Sequence, residues 1–248
     1  MCSTKEYEYI STTQVNINLN KMQKILIISL LLISVNLFGQ SSDTTISWDN
    51  QLYLGNKIAI NKNNWRFSGE LQVRLKNNTQ SLDNYFFEGV ASYMISKKWE
   101  IVPDFRMTIK PDDVEYRPGF GVVYKVIKNK FQFVNQLKLQ TDFSAIEPTE
   151  YGVRYALFFN WLIDDKYIPN FAVGVFYRWK DNFNGVQFVR FGPGLAYLIN
   201  VQHSLNFNYL ISVKNYGNTW GWAGIPVIQL VININKDYKY VPAKYFNF

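Results

Sequence analysis

"WRFSGELQVRLK", residues 65–76, divides in two when read in steps of two. Trp65, Phe67, Gly69, Leu71, Val73 and Leu75 fall on one face, and Arg66, Ser68, Glu70, Gln72, Arg74 and Lys76 on the other. Strand side chains alternate between faces, whereas a helix repeats every 3.6 residues, so this is a strand with one greasy and one charged face. "WEIVPDFRMTIK" (99–110) behaves alike: Trp99, Ile101, Pro103, Phe105, Met107 and Ile109 oppose Glu100, Val102, Asp104, Arg106, Thr108 and Lys110. "HSLNFNYLISVK" (203–214) sets Leu205, Phe207, Tyr209, Ile211 and Val213 against Asn206, Asn208, Leu210, Ser212 and Lys214.

Eleven such segments are expected, near 45–60, 64–76, 84–96, 98–110, 114–127, 130–142, 150–163, 167–180, 185–200, 203–215 and 220–235. A weaker twelfth is expected at 238–248. Many exceed the usual strand length of about 5–6 residues and suit membrane crossing, which takes about 9–11 tilted residues. Tight polar turns recur at 61–64, 96–98, 128–130, 164–166 and 200–204. Longer connections stand between them: "KNNTQSLD", "KPDDVE", "QTDFSAIEPTE", "KDNFNG" and "KNYGNTWGW". "RPGFGVVYKVIKNKFQF" (117–133) and "RFGPGLAYLINVQHSLNF" (190–207) are alike, as expected of an internal hairpin repeat.

Short turns alternating with long loops, and greasy faces outward with polar faces inward, predict an all-β fold, a transmembrane antiparallel β-barrel of 10–12 strands. Twelve is preferred because single-chain bacterial barrels are even. Aromatic residues make up 17% of the chain, and Trp48, Trp65, Tyr85, Trp99, Tyr116, Tyr151, Trp161, Tyr167, Trp179, Trp220 and Trp222 fall near predicted strand ends. That is where interfacial girdles belong. The closing "YFNF", with Phe246 and Phe248 on one face, reads as a last barrel strand. The alternative is a soluble β-sandwich, which would use shorter strands. One segment conflicts with an even count. If the short turns are periplasmic, 64–76 runs outward and 45–60 inward, so the exported chain would begin at the wrong end.

Before the strands lies "NKMQKILIISLLLISVNLFGQSSD" (20–43), with Lys21 and Lys24, a greasy run from Ile25 to Phe38 and a small-residue exit. The run is too short to span a bilayer as a helix and fits a cleaved export signal. The expected layout is a mis-called start or extension over 1–21, a signal peptide over 22–40 and a barrel domain over 41–248. Cys2 is the lone cysteine, so no disulfide framework or cysteine metal site is available to the barrel. The net charge of +7 is spread along the chain without a basic block, which argues against nucleic-acid binding.

"WRFSGELQVRLKNN", "LDNYFFEGVASYMISKKWEIVPDFRM" and "YRPGFGVVYKV" resemble the Bacteroidetes outer-membrane barrel family known as domain of unknown function 2490. The resemblance spans about residues 45–235. It implies an export signal, repeated strand-turn-strand units with Arg and Glu on the inner face, and a Gram-negative outer-membrane location. It implies no activity.

Chemistry-bearing residues are sparse. Hydrolytic barrels mostly need a histidine base, and His203 stands alone beside Ser204 in a predicted tight turn, where the two point to opposite faces. No catalytic residue, metal site or cofactor is expected. The expected lumen carries Arg66, Glu70, Arg74, Glu88, Glu100, Asp104, Arg106, Lys110, Arg117, Lys125, Lys138, Arg154, Arg178 and Arg190. Two readings stand: the charges pair across strands and fill a narrow barrel, or they line a water-filled path that would favour anions. The expected partners are outer-membrane lipid, the barrel-assembly machinery and small anionic solutes. The expected function is a small porin-like channel or a structural barrel. The alternatives are a lipid-modifying enzyme and a scaffold acting through its loops.

Overall fold

The computed structural model describes residues 48–245 other than 164, 165, 182, 218, 236 and 241. The expected extension (1–21) and signal peptide (22–40) lie outside the described residues, as do Phe246 and Phe248. The strands are β1 (Trp48–Asn50), β2 (Leu52–Lys62), β3 (Trp65–Lys76), β4 (Ser81–Met94), β5 (Trp99–Ile109), β6 (Val114–Lys128), β7 (Phe131–Ser144), β8 (Glu150–Trp161), β9 (Tyr167–Lys180), β10 (Phe183–Leu198), β11 (His203–Asn215) and β12 (Trp220–Asn233). Each pairs antiparallel with its successor from β2 to β12, and β12 returns to β2. Such closure leaves no edge of unpaired backbone groups.

The closing seam is parallel, from Val227↔Tyr53 to Asn233↔Ala59. β1 continues that ladder in the same register, Trp48↔Trp222 to Asn50↔Gly224, with a break at Gln51. The expected single segment 45–60 is thus one line of chain in two pieces. Eleven lines close the wall and β1 extends one of them. This explains the misfit of 45–60. An odd count makes β2 and β12 run the same way, so Trp48 and Asn233 lie at opposite ends. The end where β12 finishes is called the tail end and the other the head end.

Two sequence expectations are corrected. First, the twelfth barrel strand expected at 238–248 is absent among the described residues, since those between Asp237 and Tyr245 carry no strand. Second, short and long connections do not alternate. The head-end connections run over 77–80, 110–113, 145–149, 181–182 and 216–219, and those at the tail end over 63–64, 95–98, 129–130, 162–166 and 199–202, so each end carries both two-residue turns and five-residue loops. The ladders continue through polar residues at the rim, because pairing satisfies the backbone whatever the side chain. Residues 81–83 and 183–184, read as loop, are strand. The tight turns place Asn63 and Asn129 at φ of 55° and 53°, a left-handed conformation that asparagine tolerates better than most residues.

At Gly192 on β10 the wall leaves no room. A Cβ there would collide with the backbone carbonyl of Tyr209 on β11. Gly192→Val should therefore separate β10 from β11 and cost at least about 3 kcal/mol, because the obstacle is backbone and cannot repack. Gly69→Ala is the contrast. Gly69 pairs with Gly89 and lines an outward groove with Ile58, Phe67 and Phe105, and nothing lies within 4 Å of its added Cβ. It should change stability by less than about 0.5 kcal/mol. The fraction of chain running as a compact, unheated band on SDS gels through a urea series checks both.

Candidate functional site: the charged barrel interior

Strand alternation sends every second side chain inward, and around the barrel these are mostly polar. Glu70, Gln72, Glu88, Ser92, Glu100, Arg106, Lys125, Gln132 and Lys138 are each no more than 3% exposed. Buried charges are tolerated when they are paired and hydrogen-bonded. The interior meets that demand mainly by pairing between strands.

One side, formed by β4 to β9, is lined by ion pairs. Glu88 Oε1 accepts from Arg106 Nη2 at 3.0 Å and Nε at 3.2 Å. Lys138 Nζ lies 2.6 Å from Asp104 and 3.8 Å from Glu88. This Lys138–Asp104 pair lies against Gly119, where a Cβ would meet both side chains, so the first glycine of "RPGFG" makes space for an ion pair. Toward the head end, Arg117 bridges Asp142 and Glu115, the latter at 2.6 Å. Arg178 joins Asp142 at 2.9 Å to Glu150 at 2.5 Å. At the rim, burial alone would lower the Lys110 ammonium, but Glu115 at 3.0 Å holds it above the ordinary lysine range.

Aromatic and cationic side chains run from this side across the rest of the interior. Arg106 and Arg74 share Phe86, at 4.0 and 4.9 Å from its centroid. Arg74 and Arg190 share Tyr53, at 4.4 and 5.8 Å. Arg190 and Arg154 share Phe188, at 4.2 and 5.8 Å, and Arg154 and Arg178 share Phe176, at 5.1 and 5.0 Å. Arginine and aromatic side chains thus alternate from Arg106 round to Arg178, the geometry of cation–π stacking.

Near the tail end, Glu70 lies 3.7 Å from Lys57 and accepts from Gln229 at 2.9 Å. Glu100 takes Lys125 at 2.5 Å. Arg66 sits on β3 with its Nε buried and without a hydrogen-bond partner. The chain after β12 folds into this end. Asn235 is bound by Asn61 at 2.7 and 2.8 Å, and Lys239 N donates to Asn63 O at 2.8 Å. Ala243 N donates to Glu100 Oε1 at 2.8 Å, and Lys244 N to Gln132 Oε1 at 3.1 Å. Asn160 Nδ2 donates to Lys244 O at 3.0 Å, and the Tyr245 ring lies 6.1 Å from Phe158. Ala243 is 1% exposed. The tail occupies the tail-end lumen.

His203 opens β11 with Nδ1 2.9 Å from Asn200 Oδ1, a turn contact. Among the described residues no group of His, Cys, Asp and Glu could hold a metal ion. Sequence reasoning omitted Lys57, Glu115, Asp142 and Glu150, although each sits at a polar position of its strand's alternation and could have been found by carrying the step of two to the strand ends. The tail was missed because its alternating Tyr and Lys imitate a strand. Pro242, which cannot donate to a ladder, was the available warning.

Residues 47–222 match the model of the family described as "Protein of unknown function (DUF2490)". The chain belongs to this family. The match takes in β1 to β11 and the first residues of β12, hence nearly the whole wall but not the tail. No curated protein matches the chain. A solved structure of the NanC porin, in a rhombohedral crystal form, is similar at 11% identity and a TM-score of 0.49, over 69% of this chain and 89% of that one.

Proposed function

We propose that this family member is an outer-membrane barrel whose interior is closed by its own side chains and tail, so that any passage of solute needs a rearrangement. The carrying observation is the outer surface. At the tail end, cross-strand aromatic pairs follow one another: Trp65–Tyr93 at 4.7 Å, Trp99–Tyr124 at 4.7 Å, Phe131–Trp161 at 5.9 Å and Tyr167–Tyr197 at 5.3 Å. At the head end, Tyr116, Tyr151, Trp179 and Trp220 are exposed. Along β8 the two rims are Tyr151 and Trp161, with Val153, Tyr155, Leu157 and Phe159 facing out between them. Ten residues at ~3.3 Å each span about 33 Å along the strand. At a tilt near 40° that is about 25 Å along the axis, the height of an outer-membrane apolar band. A soluble sandwich would turn this greasy surface inward, and here it faces out.

The refolded chain should insert into a planar bilayer and run as a compact band on SDS gels until boiled, yet show no standing conductance at low voltage. Stepwise openings of a constant size in the unmodified protein would refute the closed interior. Failure to give a heat-modifiable band would refute the membrane barrel itself.

A further inference from the structure

The ion pairs of the interior are unevenly shared. Arg106, Arg117 and Arg178 each lie against a carboxylate. Arg74, Arg190 and Lys214, on the opposite side, have no carboxylate oxygen within 4 Å among the described residues. Arg74 Nε donates to Gln72 at 2.7 Å, while its Nη2 is buried with no hydrogen-bond partner. Arg190 spends Nε on Ser212 at 3.2 Å and Nη2 on a long 3.4 Å contact to Tyr53 Oη. Lys214 rests 4.9 Å from the Tyr216 ring. The nearby acids are engaged elsewhere. Asp83 is 3.1 Å from Lys76, Asp49 accepts from Gln51 and Asn78, and Glu70 faces Lys57.

Along the wall from β11 to β3, β12 presents Gly221 opposite Lys214 and Ala223 opposite Ser212. Tyr53 is the side chain that Arg190 and Arg74 share, and the small residues of β12 put no bulk beside it. Tyr53, Phe86 and Phe188 flank the two guanidinium groups, and Arg74 Nη2 is left to face an acceptor. Guanidinium N–H edges match the two oxygens of a carboxylate or phosphate. Arg74 is two residues from the head-end limit of β3, and Lys214 one from that of β11, so the place opens toward the head end. Arg190 is buried and Arg74 and Lys214 are half-buried, and cations so withdrawn from water without an acidic partner are costly unless an anion joins them.

We propose that the head-end interior is a binding site for a small solute bearing an oxyanion, a carboxylate or phosphate group, held between Arg74 and Arg190 with Lys214 at its rim. The site rests on the barrel reading above, and the unheated gel band tests that reading before any anion is added. The full chain, refolded in detergent, is heated in sodium phosphate, sodium acetate or sodium chloride at equal ionic strength. Phosphate, acetate or both should raise the temperature at which the compact band is lost, saturably, over chloride. Arg74→Gln and Arg190→Gln should each shift the half-saturating concentration at least tenfold upward. Lys128→Gln, at the tail end of β6, should leave it unchanged. An equal response in all variants would overturn the site. So would the absence of a saturable effect of either anion in the unmodified chain, which stands as a test even if one arginine variant does not refold.

Discussion

Glu88→Ala is expected to destabilise the barrel by about 3–5 kcal/mol. Glu88 is buried, and its Oε1 receives two donors from Arg106 with Lys138 3.8 Å away. Removing the carboxylate leaves Arg106, 1% exposed, as a charge out of water opposite an apolar methyl. Breaking one partner of a buried pair has that cost, because the remaining desolvation is no longer offset by attraction. Asp104 still serves Lys138, so the loss is concentrated on Arg106. The double variant Glu88→Leu/Arg106→Met should recover most of the stability, since exchanging both partners for apolar groups of similar size is often close to neutral. Asp83→Asn, which breaks the rim pair with Lys76, should cost about 0–1 kcal/mol, because side chains 42% and 35% exposed are screened by water. Urea unfolding of the refolded chain measures all three. A Glu88→Ala midpoint indistinguishable from wild type would mean that water reaches Arg106, and the filled interior would have to be abandoned.

That central pair also shows what the sequence made legible. Period-two alternation placed Arg106 and Glu88 on the polar face of their strands without any structure. It could not say that Arg106 meets Glu88 rather than Glu100, since partner choice depends on the register between strands. The register follows from turns such as Asn63-Asn64 and from bulges such as that between Arg74 and Leu75. The closure of the barrel was beyond reach for a similar reason. Whether β12 returns to β2 in parallel depends on how many strands fit round the interior, a property of the packed whole. Loop lengths were misjudged because polarity marks the edge of the apolar band and not the end of a strand. β4 and β10 run on past that edge through residues 81–83 and 183–184. The unpaired arginines were visible as charges, but their lack of acids became apparent only once Asp142 and Glu150 were seen to serve Arg117 and Arg178.

Removing Val241–Phe248 should expose the tail-end lumen to water while leaving the centre shut. Ala243, Lys244 and Tyr245 hold their place through three hydrogen bonds to inward side chains and the packing of Tyr245 beside Phe158 and Lys57. At about 0.5–1.5 kcal/mol net for each hydrogen bond, offset by the cost of ordering a few residues, docking amounts to a few kcal/mol. A local opening of that size keeps the lumen behind the tail rarely exposed. Ser92 reports on it, being 3% exposed and two residues from the tail-end limit of β4. In a Cys2→Ser background, Ser92→Cys should react with a water-soluble thiol reagent on the order of a hundredfold faster in the shortened chain, the ratio set by the opening free energy. Thr108→Cys, buried in the interior toward the head end, should react at one rate in both chains, because the Arg106–Glu88–Lys138 layer still lies between it and the tail. Glu100 keeps Lys125 when the tail is gone, so the shortened barrel should still fold. Equal labelling of Ser92→Cys with and without the tail would show that the tail does not occlude the lumen. Acceleration at both cysteines would instead make the tail the element that holds the central layer together.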